Sequence, residues 1–316
     1  MPFIIESQRG GRAGARRFAV TAVVVSVALA IGSVLMLAGT AGAATLGGLA
    51  VGSPAASPSW KIQSTPNPAG SDGNNLEGVS CTSATACTAV GYYYNTSGIY
   101  FALAEGWNGT SWTIHATVKP AGSSEPELEG VSCTSTSACT AAGGYENSSD
   151  AYRTLAERWN GTSWKIQSTT NPGPESDYLY GASCTSASAC TAVGYQQLNT
   201  SAKVTLAERW NGTTWTTQTT PNPAGPTDVF SGVSCASATA CTAVGSYAES
   251  NAEPTGPFAE GWNGTTWTVQ TTPSPAGTDE SPLNGVSCTA ASTCTAVGEY
   301  QNSSGTYLTL AERETA

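Results

Sequence analysis

A tryptophan returns in this chain at positions 60, 112, 164, 215 and 267, at steps of 52, 52, 51 and 52 residues. A fixed period of that length means one supersecondary unit built repeatedly. Such a unit cannot bury its apolar face alone and must stack on its neighbours. The cysteines keep the same beat: Cys81 and Cys87, Cys133 and Cys139, Cys184 and Cys190, Cys235 and Cys241, Cys288 and Cys294. In outline each unit reads Gly-Val-Ser-Cys, five small residues, Cys-Thr-Ala-Val-Gly, a polar loop, Leu-Ala-Glu-Arg-Trp, a turn, and Trp-Lys-Ile-Gln. That pattern predicts four short strands per unit.

The turn between the third and fourth strands contains Asn108-Gly109, repeated in the later units. Asn-Gly between strand formers predicts a hairpin, either with a two-residue type I′ turn or with a four-residue loop running to Ser111. Either register puts Leu103, Glu105 and Trp107 on one face with Trp112 and Ile114, because strand side chains alternate. The paired tryptophans therefore read as core. Only 11% of the residues are charged, with 35 glycines, and no amphipathic helical stripe follows residue 44. This composition belongs to a turn-rich β protein.

The phase of the repeat suggests a ring. Five first, second and third strands can be counted, but only four complete hairpins of third and fourth strands. An extra fourth strand, Trp60-Lys61-Ile62-Gln63, precedes the first unit, and the last unit stops after Leu310-Ala311-Glu312-Arg313. Small residues fill the first two strands, and Leu, Trp and Ile fill the outer two, as wedge-shaped blades require. The expected fold is all-β: a five-bladed β-propeller of four-stranded blades over residues 59–316, closed by Trp60–Gln63 completing the last blade. A string of separate disulfide-stapled modules is the alternative.

Residues 1–43 read as a signal peptide or an N-terminal membrane anchor. Arg9, Arg12, Arg16 and Arg17 precede an apolar run over 18–38, and Ala41-Gly42-Ala43 follows. Residues 44–58 read as linker. Either version places the repeats outside the cytoplasm, secreted or anchored to the outer side of the plasma membrane, with membrane contact only through the N-terminal segment. Ten evenly spaced cysteines then predict five local disulfides, each joining a cysteine to the one six residues on.

The Gly-Val-Ser-Cys, Cys-Thr-Ala-Val-Gly and Leu-Ala-Glu-Arg-Trp-Asn-Gly-Thr-Ser-Trp motifs resemble the Trp/Cys repeats of secreted actinobacterial proteins. The resemblance covers residues 60–313. It implies an exported propeller-like domain and no settled activity.

The charge narrows the partners. Removing the four Arg and one Glu of residues 1–43 from 12 basic and 22 acidic residues leaves 8 and 21, a net charge of −13. Nucleic acid is therefore not an expected partner. No cofactor motif is present. The acidic residues of the linkers between units, Asp72, Glu125, Glu127, Asp177, Asp228 and Asp279, lack the spacing of a calcium loop, so no metal is expected. Glu105, Glu157, Glu208, Glu260 and Glu312 recur once per unit, which suits a repeated hydrogen-bond network better than the two unlike carboxylates of a glycosidase. No catalytic residue is assigned. His115, the single histidine, stands where the other fourth strands carry Gln, and is expected to be solvated.

The candidate ligand residues lie in the loop after the second strand: Tyr93 and Asn95, Tyr145 and Asn147, Tyr247, and Tyr300 and Asn302. An aromatic ring beside an amide suits a sugar, with its apolar faces and many hydroxyls. The expected function is an extracellular, non-enzymatic binding or scaffold protein, monomeric, taking a glycan or cell-surface polymer. The alternatives are a secreted hydrolase with one cleft and a purely structural surface protein.

Overall fold

The computed structural model describes residues 60–200, 202–222, 225–248, 256–276 and 280–314. The expected leader or anchor, the 44–58 linker and Asp279 lie outside them.

Among the described residues, five antiparallel units, called blades below, follow one plan. The first comprises β1 (Ser71–Ser83), β2 (Ala86–Asn95), β3 (Tyr100–Trp107) and β4 (Trp112–His115); the second, β5 (Ser124–Ser135), β6 (Ala138–Glu146), β7 (Tyr152–Trp159) and β8 (Trp164–Gln167). The third comprises β9 (Ser176–Ser186), β10 (Ala189–Asn199), β11 (Ala202–Trp210) and β12 (Trp215–Gln218); the fourth, β13 (Thr227–Ser237), β14 (Ala240–Ala248), β15 (Gly256–Trp262) and β16 (Trp267–Gln270). The fifth has three strands, β17 (Leu283–Ala290), β18 (Thr293–Gln301) and β19 (Tyr307–Arg313). Within each blade the strands pair antiparallel in chain order, and one parallel bridge, Lys203 to Thr227, joins the third blade to the fourth.

The local chemistry of each blade explains its register. Cys81 faces Cys87 across β1 and β2, and the other four cysteine pairs do the same, all as disulfides. The third-to-fourth-strand connection is the four-residue loop, since Trp107 pairs directly with Trp112. Asn108 Oδ1 accepts the N–H groups of Thr110 and Ser111, and only the glycine takes a positive φ, 94° at Gly109. A bulge in the first strand brings its carbonyl hard against the second. A Cβ on Gly143 would lie 2.0 Å from the Glu127 oxygen, so this position admits only glycine.

Blades stack through their first strands, where Gly78 meets Gly130, Gly130 meets Gly181, Gly181 meets Gly232 and Gly232 meets Gly285. The wedge outside this row is filled by the tryptophan that opens each fourth strand. Trp164, Trp215 and Trp267 are 2–4% exposed, each in the core it shares with the preceding blade. The aliphatic residue two places on does not join them: Ile114, Ile166 and Val269 are 39–44% exposed.

The closed five-bladed ring expected from the sequence is not formed. Trp60–Gln63 is not a strand, Trp60 and Ile62 are fully exposed, and among the described residues β19 pairs only with β18. The reason is visible at both ends of the row. Gln63 is held on the first blade, accepting the Trp112 indole N–H at 3.0 Å, while the glycine row stops at Gly285. The fifth blade is left with an open cavity of about 700 Å³ between it and the fourth.

Candidate functional site

The loops after the second strands carry the candidate residues, and the structure gives their two halves different work. Asn95 Oδ1 accepts the N–H groups of Ser97 and Ile99. Asn147 Oδ1 accepts those of Ser149 and Ala151, and Asn302 Oδ1 those of Ser304 and Thr306. The three asparagines are thus turn residues with their side-chain oxygens already engaged. Tyr145 and Tyr247 pack on the cores between blades, and Tyr247 lies so close over Gly256 that a Cβ there would touch its ring. Tyr300 is half-buried on β18 opposite Leu308. Tyr93 stacks on Phe101 with centroids 4.9 Å apart, beside an open pocket of about 280 Å³ that also meets Pro68 and Lys119. The seven residues are spread one set per blade and do not converge.

A different cluster does converge, at the junction of the second and third blades. β9 carries Tyr178-Leu179-Tyr180, where the other units have Asn75-Leu76-Glu77, Glu127-Leu128-Glu129, Val229-Phe230-Ser231 and Pro282-Leu283-Asn284. The Tyr178 hydroxyl lies within hydrogen-bonding distance of Glu127 Oε2 (2.9 Å) and Glu129 Oε1 (2.7 Å). Tyr152 donates to Glu125 Oε2 at 2.8 Å, and Glu125 adopts a left-handed backbone, φ 47°. Tyr152, Tyr180 and Tyr195 surround Tyr178 at 5.0–6.3 Å between centroids, and Lys203 Nζ lies 4.2 Å above Tyr195. Burial and then the neighbouring carboxylates push the Tyr178 hydroxyl far above the ordinary phenol range, so it stays a donor. Tyr180 and Glu129 line an open pocket of about 340 Å³ with Glu77, Val229 and Ser231. Residues from the first four blades meet there. Sequence reasoning overlooked this cluster because it weighed repeated positions; its signal was a pair of tyrosines at positions that vary from unit to unit.

Of the other acidic residues expected in linkers, Asp72 lies within β1 and Asp228 within β13. Asp177 is buried and accepts the Gly173 N–H with both oxygens, 3.9 Å from Arg153. Burial raises its pKa to about 6 against the opposing pull of those two partners. Among the described residues no three of His, Cys, Asp and Glu converge as a metal site.

The repeated glutamates of the third strands are buried between blades, with Glu105, Glu157, Glu208 and Glu260 at most 1% exposed. Glu157 accepts the Val118 N–H and Glu208 the Thr170 N–H, each from the linker that leaves the preceding blade. The equivalent linker residue facing Glu260 is Pro221, which has no N–H, and neither oxygen of Glu260 finds a hydrogen bond among the described residues. The expected network is therefore formed at two interfaces and cut by proline at a third. Burial lifts Glu157 and Glu208 to about 7; burial and then Asp228 lift Glu260 to about 8.

His115 is half-buried rather than fully solvated. Its ring stacks on Trp159 of the next blade at 4.5 Å and 4°, in the space that Gly106 leaves. In the third blade Arg209 takes the place of Gly106 and reaches Trp262 of the fourth blade in the same way, 5.6 Å from the ring. Burial lowers the histidine pKa. With the imidazole stacked on Trp159, the buried Trp164 indole N–H has no acceptor among the described residues, whereas Trp215 and Trp267 donate to Gln167 and Gln218 at 3.0 Å.

No protein-family model matches the chain, and no curated protein matches it. Among solved structures, it is similar to the six-bladed fucose-recognising lectin of the fungus Aleuria aurantia (12% identity, 74% of each chain, TM-score 0.42). It is also similar to the SapL1 lectin solved with α-methyl fucoside (14%, 74% of this chain and 78% of that one, 0.43). A third is YjhT (8%, 72% and 77%, 0.46). These likenesses assign neither a ligand nor a blade number to this chain.

Proposed function

We propose that the protein is an exported, non-enzymatic binding or scaffold protein, and that its ligand face is the depression lined by Tyr180, Glu77, Glu129 and Ser231. The ligand class is a hydroxyl-rich glycan or cell-envelope polymer, uncharged or bearing amino groups. The observation that carries this reading is the meeting of Glu77, Glu129, Tyr180 and Ser231, from a position that varies between blades, around one depression. Four blades contribute two carboxylates, a phenol and a hydroxyl to one place. The Tyr180 ring offers a platform for apolar sugar faces. Carboxylates and a hydroxyl offer acceptors for hydroxyl or ammonium donors, and they oppose polyanions, as does the net charge of the repeats. Five disulfides suit an oxidising compartment outside the cell.

A glycan array and a panel of hydrolase substrates, read on the same preparation, test this. Binding to a neutral or amino-bearing glycan, weakened at least ten-fold by Tyr180→Ala and unaltered by Tyr300→Ala, is the expected result. Turnover of any substrate in the panel, or binding indifferent to Tyr180, overturns it.

A further inference from the structure

The fifth blade has a seat for a strand, and the chain carries elsewhere on its surface a non-strand segment with the sequence of a fourth strand. At the seat, Val244, Ala259, Leu283 and Ala296 line the cavity of about 700 Å³. Their counterparts two interfaces back are Ala142, Ala156, Leu179 and Ala192, and these four pack in one cluster with Trp215. The cavity therefore has the walls of a tryptophan site. Beside it, the outer edge of β19 carries no partner strand, and Tyr307 and Leu308 are 51% and 41% exposed.

The segment is Trp60-Lys61-Ile62-Gln63, identical residue for residue to β8, Trp164-Lys165-Ile166-Gln167. It already makes half of the contacts of a fourth strand. In the sealed interfaces the Gln that ends one blade accepts the indole N–H of the next blade's fourth-strand Trp, as Gln167 does from Trp215 and Gln218 from Trp267. Gln63 accepts from Trp112 at the same 3.0 Å. The segment is thus anchored on the first blade in the place a preceding blade's outer strand would take. Its tryptophan is bare, 104% exposed, and its own fifth blade does not meet it.

We infer that two copies of this chain associate by strand donation: Trp60–Gln63 of one copy pairs with β19 of the other, and Trp60 fills the cavity on the fifth blade. The register follows from the complete blades, where Ala207 faces Gln218 and Trp210 faces Trp215. Ala311 then faces Gln63, and Glu314 faces Trp60. The contact is head-to-tail, so each copy has one donor and one acceptor, and a reciprocal exchange closes it as a dimer. Pairing also covers an exposed sheet edge. The inference stands independently of the ligand reading.

Sedimentation velocity on the purified protein across roughly a hundred-fold concentration range, at fixed salt, tests it. The wild type should rise toward twice its monomer mass. Trp60→Ala removes the donor, and Ala311→Arg blocks the acceptor edge. Both positions are exposed in the single chain, so both variants should keep the parental melting curve as dilute monomers. Each variant alone should remain monomeric. Mixed one to one, they should form a dimer, because Trp60→Ala retains an acceptor and Ala311→Arg retains a donor. A wild type that stays monomeric throughout contradicts the inference and leaves closure within one chain as the use of the strand. Association unchanged in either variant, or a mixture that stays monomeric, also contradicts it.

Discussion

The wedge between the third and fourth blades and the one on the fifth blade are built from the same repeat and end in different states. In the first, Val193, Ala207, Phe230, Ala243, Phe258 and Trp267 form a continuous buried cluster. In the second, Val244, Ala259, Leu283 and Ala296 are buried but enclose a cavity, and Val297 on the blade's far face is 51% exposed. The first blade shows the same contrast from the other side. Leu76 and Val79 are 39% and 63% exposed, whereas Leu128 and Val131, their equivalents in the second blade, are 0% and 9%. Yet every blade keeps its hairpin register and its disulfide. Blade formation is thus a local matter of turns, alternation and cysteines, while core formation belongs to the interface. Quasi-one-dimensional repeat proteins divide their stability in this way.

That division can be broken deliberately. Phe230→Ala should cost about 3–5 kcal/mol, because a fully enclosed side chain leaves a cavity behind. Leu76→Ala, at the equivalent position on the open side, should cost under about 1 kcal/mol. Matched denaturant titrations with the disulfides oxidised measure both, and equal losses would show that the first blade is sealed after all.

The buried glutamates sharpen the comparison through pH. Their folded pKa values, about 7 for Glu157 and Glu208 and about 8 for Glu260, lie above the roughly 4.3 of an unfolded glutamate. The folded state therefore holds extra protons between those limits. The stability they confer is complete below the unfolded pKa and is lost as pH rises through the folded values. Melting temperature should fall between pH 5 and pH 8.5. Glu260→Gln, which keeps the shape without the charge, should raise it by roughly 5 °C at pH 8.5 and change it little at pH 5. A glutamine variant less stable at pH 8.5 would mean that the carboxylate has a cationic partner.

The smallest effect is expected at the interface between the first and second blades. His115→Gln gives the Trp164 indole the acceptor that the other sealed interfaces have, but it removes the stack on Trp159. The hydrogen bond contributes about 1 kcal/mol and the stack a similar amount. The melting temperature should therefore hardly move, while the Trp164 N–H becomes slower to exchange with deuterium. Unchanged exchange at Trp164 would show that the indole already has an acceptor.

Much of this was legible in the sequence because it is local or periodic. The five units, their strand order, the cysteine pairing and the burial of Trp164, Trp215 and Trp267 follow from spacing and alternation. What was not legible depends on residues that meet only in space. The setting of His115 is decided by Gly106 on the neighbouring strand and by Trp159 in the next blade. The hydrogen bonding of Glu260 is decided by Pro221, far away in sequence. The Tyr178 cluster is built on positions that vary between units, so a reading tuned to repeats passed it over. Closure by Trp60–Gln63 was inferred from phase, which identifies a strand without a partner but not where it goes.

The central claim is that the tryptophan sites are sealed inside the row of blades and open at its two ends. Labelling the nine tryptophans with 5-fluorotryptophan, and assigning resonances by single Trp→Phe substitutions, reads each site separately. In dilute protein the fluorine shifts of Trp60 and Trp112 should respond strongly to exchange of H2O for D2O, and those of Trp164, Trp215 and Trp267 should not. Trp60 and Trp112 as insensitive as Trp267 in the dilute monomer would contradict the account and mean that one chain closes its own ring.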